Sequence, residues 1–262
     1  MFAWCPEGDA SACADRAAER QATFDRIVER VTQQPVTFDD PWVGEVEVGY
    51  GRFVDLVHSA LYEPDAPDQV AALIAAFDAL TDPAASPTRI QQARDEAEEV
   101  RNRAGKASKP AKLPPHSLDG YDQLGMAHWA VLCTDSLNPT AQKEWAPAIA
   151  ARGEDAPHFA DMWGWRSAPC ATQFWTAHDE DAWRGPFTNR TSAPVLVVGT
   201  RYDPAIPYSG AVAASRLLPN SALVTVEGFG HGAYLRSSCA TAAIEDYLVA
   251  GELSATRTCQ PG

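Results

Sequence analysis

No stretch of this chain approaches the roughly 18 consecutive apolar residues of a membrane-spanning helix, so no membrane partner is expected. Positive charge is scarce. There are 21 Lys and Arg against 35 Asp and Glu, a formal net charge of −14. Nucleic-acid binding needs clustered cations to neutralise phosphates, so no nucleic-acid partner is expected either. An acidic surface serves solubility and can also attract cationic ligands such as peptide amines. Met1 to Glu7 shows neither a basic start nor a long apolar core, so no signal peptide is read in this chain. None of the six cysteines stands in Cys-x-x-Cys spacing; no metal and no cofactor are expected. What is present fits a soluble globular protein: 45% hydrophobic and 21% charged residues, enough for one large domain or two small ones.

The cysteines fall as Cys5/Cys13, Cys133/Cys170 and Cys239/Cys259. Three of them lie in polar, loop-like surroundings near the chain ends, which favours disulfides and an oxidising compartment over buried free thiols. Six cysteines allow fifteen pairings, and the sequence alone does not choose among them.

Along the chain, residues 9–34 are expected to be helical, with Phe24, Ile27, Val28 and Val31 at i, i+3, i+4, i+7 spacing and Pro35 as the stop. Residues 36–48 read as extended or loop-like. Helices are expected over 50–62, 68–80 and 86–104, the last capped by Ser86-Pro87 and carrying a solvated charged face. Residues 105–120, with three prolines, read as a mobile loop. An apolar run over 124–133 leads into Thr134-Asp135-Ser136. A helix is expected over 140–152, and 157–183 reads as irregular and rich in Trp. From 193 the pattern changes to strand, turn, helix (208–218), strand (222–227), turn, helix (239–250). That alternation is the punctuation of a doubly wound α/β sheet.

The two strands end in chemistry. Val195 to Val198 is an aliphatic run of the kind that forms a strand buried on both faces, and it delivers Asp203-Pro204 into a turn. The second strand delivers His231 between Gly228, Gly230 and Gly232. Sites in such sheets lie beyond the carboxyl ends of the strands. There, a carboxylate can hold an imidazole in one tautomer and stabilise the imidazolium. The imidazole then serves as general base and general acid. Acid before histidine is the chain order of α/β-hydrolases, in which a Gly-x-Ser-x-Gly nucleophile turn comes first. No such turn occurs in these 262 residues.

The run Ala193-Pro-Val-Leu-Val-Val-Gly to Asp203-Pro-Ala-Ile-Pro207, then Gly228-Phe-Gly-His231-Gly, then Ser238-Cys239 to Asp246-Tyr-Leu, Gly251 and Cys259, resembles the C-terminal region of secreted tripeptidyl-aminopeptidase-like α/β-hydrolases. These serine peptidases are related to the proline iminopeptidases. The resemblance is specific from residue 193 onward. It extends more loosely to Trp4-Cys5 with Cys13 and to Ala130-Val-Leu-Cys133-Thr-Asp135-Ser136, which look like landmarks of the family's helical cap. It implies a partial α/β-hydrolase fold, with a mostly helical cap over 1–165 and the last two core strands within 166–262. It implies Asp203 and His231 as triad members, a peptide or small ester or amide substrate, and a secreted or cell-envelope setting for the full-length form. It also implies a serine nucleophile on an N-terminal hydrolase half that this chain does not contain, a possible missing partner.

No substitute nucleophile fits. Ser136 lacks flanking glycines, and Pro139 follows it closely. Ser167 lacks a second glycine and a preceding strand, and Ser209 lies after the acid. Cys133 is more simply a disulfide partner of Cys170 than a thiol nucleophile. Without the remaining sheet, strands 193–199 and 222–227 are expected to expose a large apolar face. Asp135 falls near the position where acidic cap residues of the related iminopeptidases bind a substrate's α-amino group. Its other reading is a turn-capping carboxylate. Trp129, Trp163, Trp165, Trp175 and Trp183 are candidate pocket walls or packing, and Asn189-Arg-Thr191 is a common and weak glycosylation pattern. The competing reading is a non-catalytic fragment or binding module on a hydrolase scaffold, or one chain of a split enzyme.

Overall fold

The computed structural model describes residues 10–40, 44–107, 123–154, 156–177, 179–183, 185 and 193–262. The chain divides into two compact units. One joins residues 1–108 with 196–212 and 222–262; the other joins 109–195 with 213–221.

In the first unit, α1 (Ala10–Gln33) buries Phe24, Ile27 and Val31 at helical spacing. Its ladder ends where Gln34 donates to the Arg30 carbonyl, because Pro35 has no N–H with which to continue it. The expected extended segment is an antiparallel hairpin of β1 (Val36–Asp40) and β2 (Gly44–Val48), with Val36 opposite Val48. Three helices follow: α2 (Tyr50–Ala60), α3 (Ala66–Thr81) and α4 (Pro87–Ala107). Phe53 of α2 lies between Phe24 and Phe77, with ring centroids 5.3 and 4.8 Å away. These three rings are the centre of the helical core. Ser86 accepts the Arg89 N–H at 3.3 Å and so caps α4. Ala93, Ala97 and Val100 are buried on α4, and the two small alanines let it lie close on α3.

A three-stranded sheet carries the order β3 (Val195–Tyr202), β4 (Ser221–Phe229), β5 (Arg257–Cys259). Helix α8 (Tyr208–Leu217) is the crossover from β3 to β4, and β5 runs parallel to β4 with Val226 beside Cys259. A Cβ on Gly199 would stand 2.8 Å from the Ala211 Cβ, so only glycine lets α8 approach β3 this closely. On the sheet lies α9 (Ser238–Ala250), whose buried Ala240 and Ala243 meet Val224, Val226 and Cys259. Ser237 caps α9 by accepting from Ala240, and its hydroxyl donates to the Gln260 carbonyl at 2.6 Å. The Cys239–Cys259 disulfide joins α9 to β5.

The second unit contains α5 (Gln123–Asp135), α6 (Trp145–Gly153) and α7 (Phe159–Ser167). The Cys133–Cys170 disulfide ties the end of α5 to the turn after α7.

Two expectations change. Part of the Trp-rich segment, expected to be irregular, is the helix α7. The exposed apolar surface is also distributed differently: Val224 and Val226 of β4 are buried beneath α9, whereas Val195 to Gly199 of β3 are only half-buried. β3 is the edge strand of the sheet as described, so its aliphatic run has cover on fewer sides. Cys5, most of the loop over 105–120 and Asn189 to Thr191 lie outside the described residues, and of Cys13 only the backbone is described.

The Cys239–Cys259 link closes a loop with a sequence separation of 20 in a unit with a small sheet core. Replacing both cysteines by alanine is expected to lower the unfolding free energy by about 3 kcal/mol. Urea denaturation measures it; an unchanged midpoint would show that the link adds nothing to stability.

Candidate active site

Strand β3 ends at Tyr202, and Asp203 begins the turn that follows. Its carboxylate is almost enclosed, at 8% side-chain exposure. One oxygen, Oδ1, accepts the N–H groups of Ala205 and Ile206 at 2.8 and 2.9 Å, a local Asx-type turn that fixes the side chain on its own backbone. The other, Oδ2, lies 2.9 Å from His231 Nδ1 and 3.5 Å from the Gly232 N–H. A buried carboxylate with these four donors has its lone pairs occupied, which is how such a group stays charged at low cost.

Strand β4 ends at Phe229, and the chain reverses through Gly230 and Gly232, with φ of +97° and +83°. His231 sits between them. Gly228 remains inside β4 and takes no positive φ. Thr200, buried in β3, donates its hydroxyl to the Gly232 carbonyl at 3.1 Å. The loop is also held from the turn after α2: the His231 N–H donates to the Tyr62 carbonyl at 3.0 Å, and the Tyr62 ring packs edge-on to the imidazole at 5.4 Å. A charged carboxylate only accepts, so Nδ1 must carry the proton. That leaves the Nε2 lone pair on a side chain that is 44% exposed, without a protein partner among the described residues. The arrangement can take a proton at Nε2 and return it, with Asp203 stabilising the imidazolium in between.

Below this rim, Arg201 of β3 and Glu227 of β4 form a two-pronged pair at 3.1–3.2 Å, and the guanidinium lies over the Tyr208 ring at 4.2 Å. The hydrogen bond to Glu227 pushes the Arg201 pKa up from its ordinary value. At the rim itself, Tyr202 and Phe229 stack at 4.6 Å, pairing the two strand ends that carry Asp203 and His231.

The structure therefore brings Asp203 and His231 together, and separately Cys133 with Cys170 and Cys239 with Cys259. Asp135 is the last residue of α5 and is exposed. Ser136 follows a helix rather than a strand. Ser167 ends α7 with its hydroxyl on the Trp163 carbonyl, and Ser209 lies in the first turn of α8. None of these serines stands on a strand-to-helix turn. Of the tryptophans, Trp165 and Trp183 are exposed, and Trp129, Trp163 and Trp175 are half-buried. Among the described residues no group of His, Cys, Asp and Glu could hold a metal ion, and no helix is long and apolar enough to cross a membrane. Sequence reasoning missed Thr200 and Tyr62. The first was legible as a polar residue inside an aliphatic strand; the second carries no local signal, because its contacts come from a segment far along the chain.

Residues 156–259 match the family described as TAP-like protein. Over 135 residues, 50% of this chain, the sequence is 31% identical to a tripeptidyl aminopeptidase of Streptomyces lividans and to one of Streptomyces coelicolor. The matched region covers 25% and 24% of those proteins, so the chain spans about a quarter of the length of the curated relatives it matches. Both strand ends that form the acid–imidazole pair lie inside the matched residues 156–259.

Proposed function

We propose that this chain supplies the acid and the histidine of a serine hydrolase of the tripeptidyl-aminopeptidase type, with the nucleophile contributed from outside these 262 residues. The observation that carries the reading is the 2.9 Å contact between His231 Nδ1 and Asp203 at the ends of adjacent strands, with Nε2 left exposed. In the complete enzyme, Nε2 accepts the serine proton as Oγ attacks the scissile carbonyl. The imidazolium then gives that proton to the departing amine as the C–N bond breaks and an acyl-enzyme is left. Water, activated by the same nitrogen, releases the acid product. No metal or cofactor enters this sequence. Residues 1–165 serve as the helical cap and 166–262 as the C-terminal part of the core. The two described disulfides support an extracellular or cell-envelope setting.

A short peptide with a free N-terminus is the proposed substrate. Asp135 is the proposed ammonium partner, as an exposed carboxylate two residues from a disulfide-anchored cysteine. The competing reading is a non-catalytic fragment or binding module on a hydrolase scaffold, or one chain of a split enzyme. A fluorophosphonate probe separates the possibilities. The 262-residue chain alone is expected to stay unlabelled, and labelling would mean that it holds its own nucleophile.

In a longer form that carries the nucleophile turn, Asp203→Asn is expected to lower kcat/KM on a tripeptide amide by about 10⁴, because the imidazole loses its tautomer. A loss under tenfold would remove Asp203 from the triad.

In the same form, Asp135→Ala is expected to raise KM about 10- to 100-fold for free-amine peptides, the range of one lost charge-assisted hydrogen bond, and to leave simple esters unaffected. Equal effects on both substrate types would end the ammonium-binding role.

A further inference from the structure

The turn between α2 and α3 makes four contacts with the loop that bears His231. The Tyr62 carbonyl accepts the His231 N–H at 3.0 Å. The Tyr62 ring meets the imidazole edge-on, at an interplanar angle of 65°. A Cβ on Gly230 would come within 2.8 Å of the Tyr62 carbonyl oxygen, so the two backbones are as close as glycine permits. Glu63 pairs with Arg236 at 3.5 Å, with both side chains largely covered.

The turn is itself well supported. The N–H groups of Tyr62, Glu63 and Ala66 are bonded to Ser59, Ala60 and Glu63 carbonyls, Ala66 is fully buried, and the His58 ring packs edge-on against Tyr62 at 5.0 Å. The His231 loop has one internal backbone bond, from the Arg236 N–H to the Ala233 carbonyl, and it lies beyond the histidine. Its two positive-φ glycines allow the reversal, but they also give the loop more conformational freedom than any other residue would. Asp203 holds one nitrogen of the ring, with its two oxygens at 3.0 and 2.9 Å; contacts at that one atom leave rotation about the side-chain bonds, and a 44% exposed imidazole has room to use it.

We propose that Tyr62 is a positioning residue for His231: its carbonyl sets the loop and its ring confines the imidazole to the orientation in which Nδ1 faces Asp203. The inference rests on the acid–histidine reading above, and its test uses only the 262-residue chain. In ¹⁵N-histidine-labelled protein at pH about 8.5, above the ordinary imidazole range near 6.5, two-bond ¹H–¹⁵N spectra report which ring nitrogen bears the proton. The His231 signals are assigned by their loss in His231→Gln. The wild type is expected to show a single Nδ1–H tautomer. Tyr62→Ala and Tyr62→Leu are expected to turn this into a tautomer mixture, with amide dispersion elsewhere unchanged, and Tyr62→Phe to restore the single form. The Leu variant keeps apolar bulk and serves where Ala loosens the fold. A single Nδ1–H form in the folded Ala or Leu variant, lost only in Asp203→Asn, would overturn the role of Tyr62 and leave the acid–histidine pair standing. Unchanged signals in Asp203→Asn would remove the pair itself, and with it this inference.

Discussion

A nearly enclosed carboxylate can remain charged only if donors surround it, and the geometry around the site is organised to meet that demand at Asp203. Two donors come from its own turn, one from the backbone beside His231 and one from the imidazole. The first two require the chain to turn immediately after β3, which Asp203-Pro204 enforces. The other two require the end of β4 to lie beside it, which follows from adjacent strands joined by a crossover helix. Removing the imidazole would therefore leave the acid short of a donor, and displacing the acid would leave the imidazole free to choose its tautomer. Each group is in place because the other is.

Strand adjacency in turn depends on features away from the site. The glycine at 199 brings α8 onto β3, and the hydroxyls of Tyr208 and Thr225 lie 2.7 Å apart, linking that helix to β4. On the other side of β4, a short strand contributes Cys259 to a core built largely of valine and alanine. That core is thin. The covalent link from Cys259 to Cys239 holds α9 and β5 together where burial alone provides few contacts. Helix α9 keeps Leu248 and Val249 outward, at 72% and 88% exposure, so its packing rests on Ala240 and Ala243.

Much of this was legible because the signals are local. Helical spacing marked Phe24, Ile27 and Val31, β-branched runs marked β3 and β4, and the acid and histidine followed each strand at once. The elements that escaped notice are those that tertiary contacts create. β5 is three residues long and becomes a strand only because β4 offers an edge. Helix α7 is interrupted by aromatic residues that lower its propensity and hide its period. The expected apolar face misplaced its centre because sequence shows that a strand is aliphatic but not which neighbour covers it. Tyr62 is the extreme case. It sits at the end of a helix that looks ordinary, and nothing nearby hints that its carbonyl will meet a loop about 170 residues later.

That distance has a physical consequence for the site. Glycines flanking a catalytic-type histidine meet two opposed needs: the chain must reverse sharply, and the imidazole must stay still. Glycine satisfies the first by giving up the second. The second must then be supplied from elsewhere, by contacts that do not depend on the loop's own stiffness. Thr200 supplies one from the strand beneath, and the α2–α3 turn supplies the rest from a helical segment that sequence reading assigned to a cap. The contact thus joins the His231 loop to a helical segment far from it in the sequence. A helical segment that carries no reacting group of its own can still decide how well an acid–histidine pair is aligned.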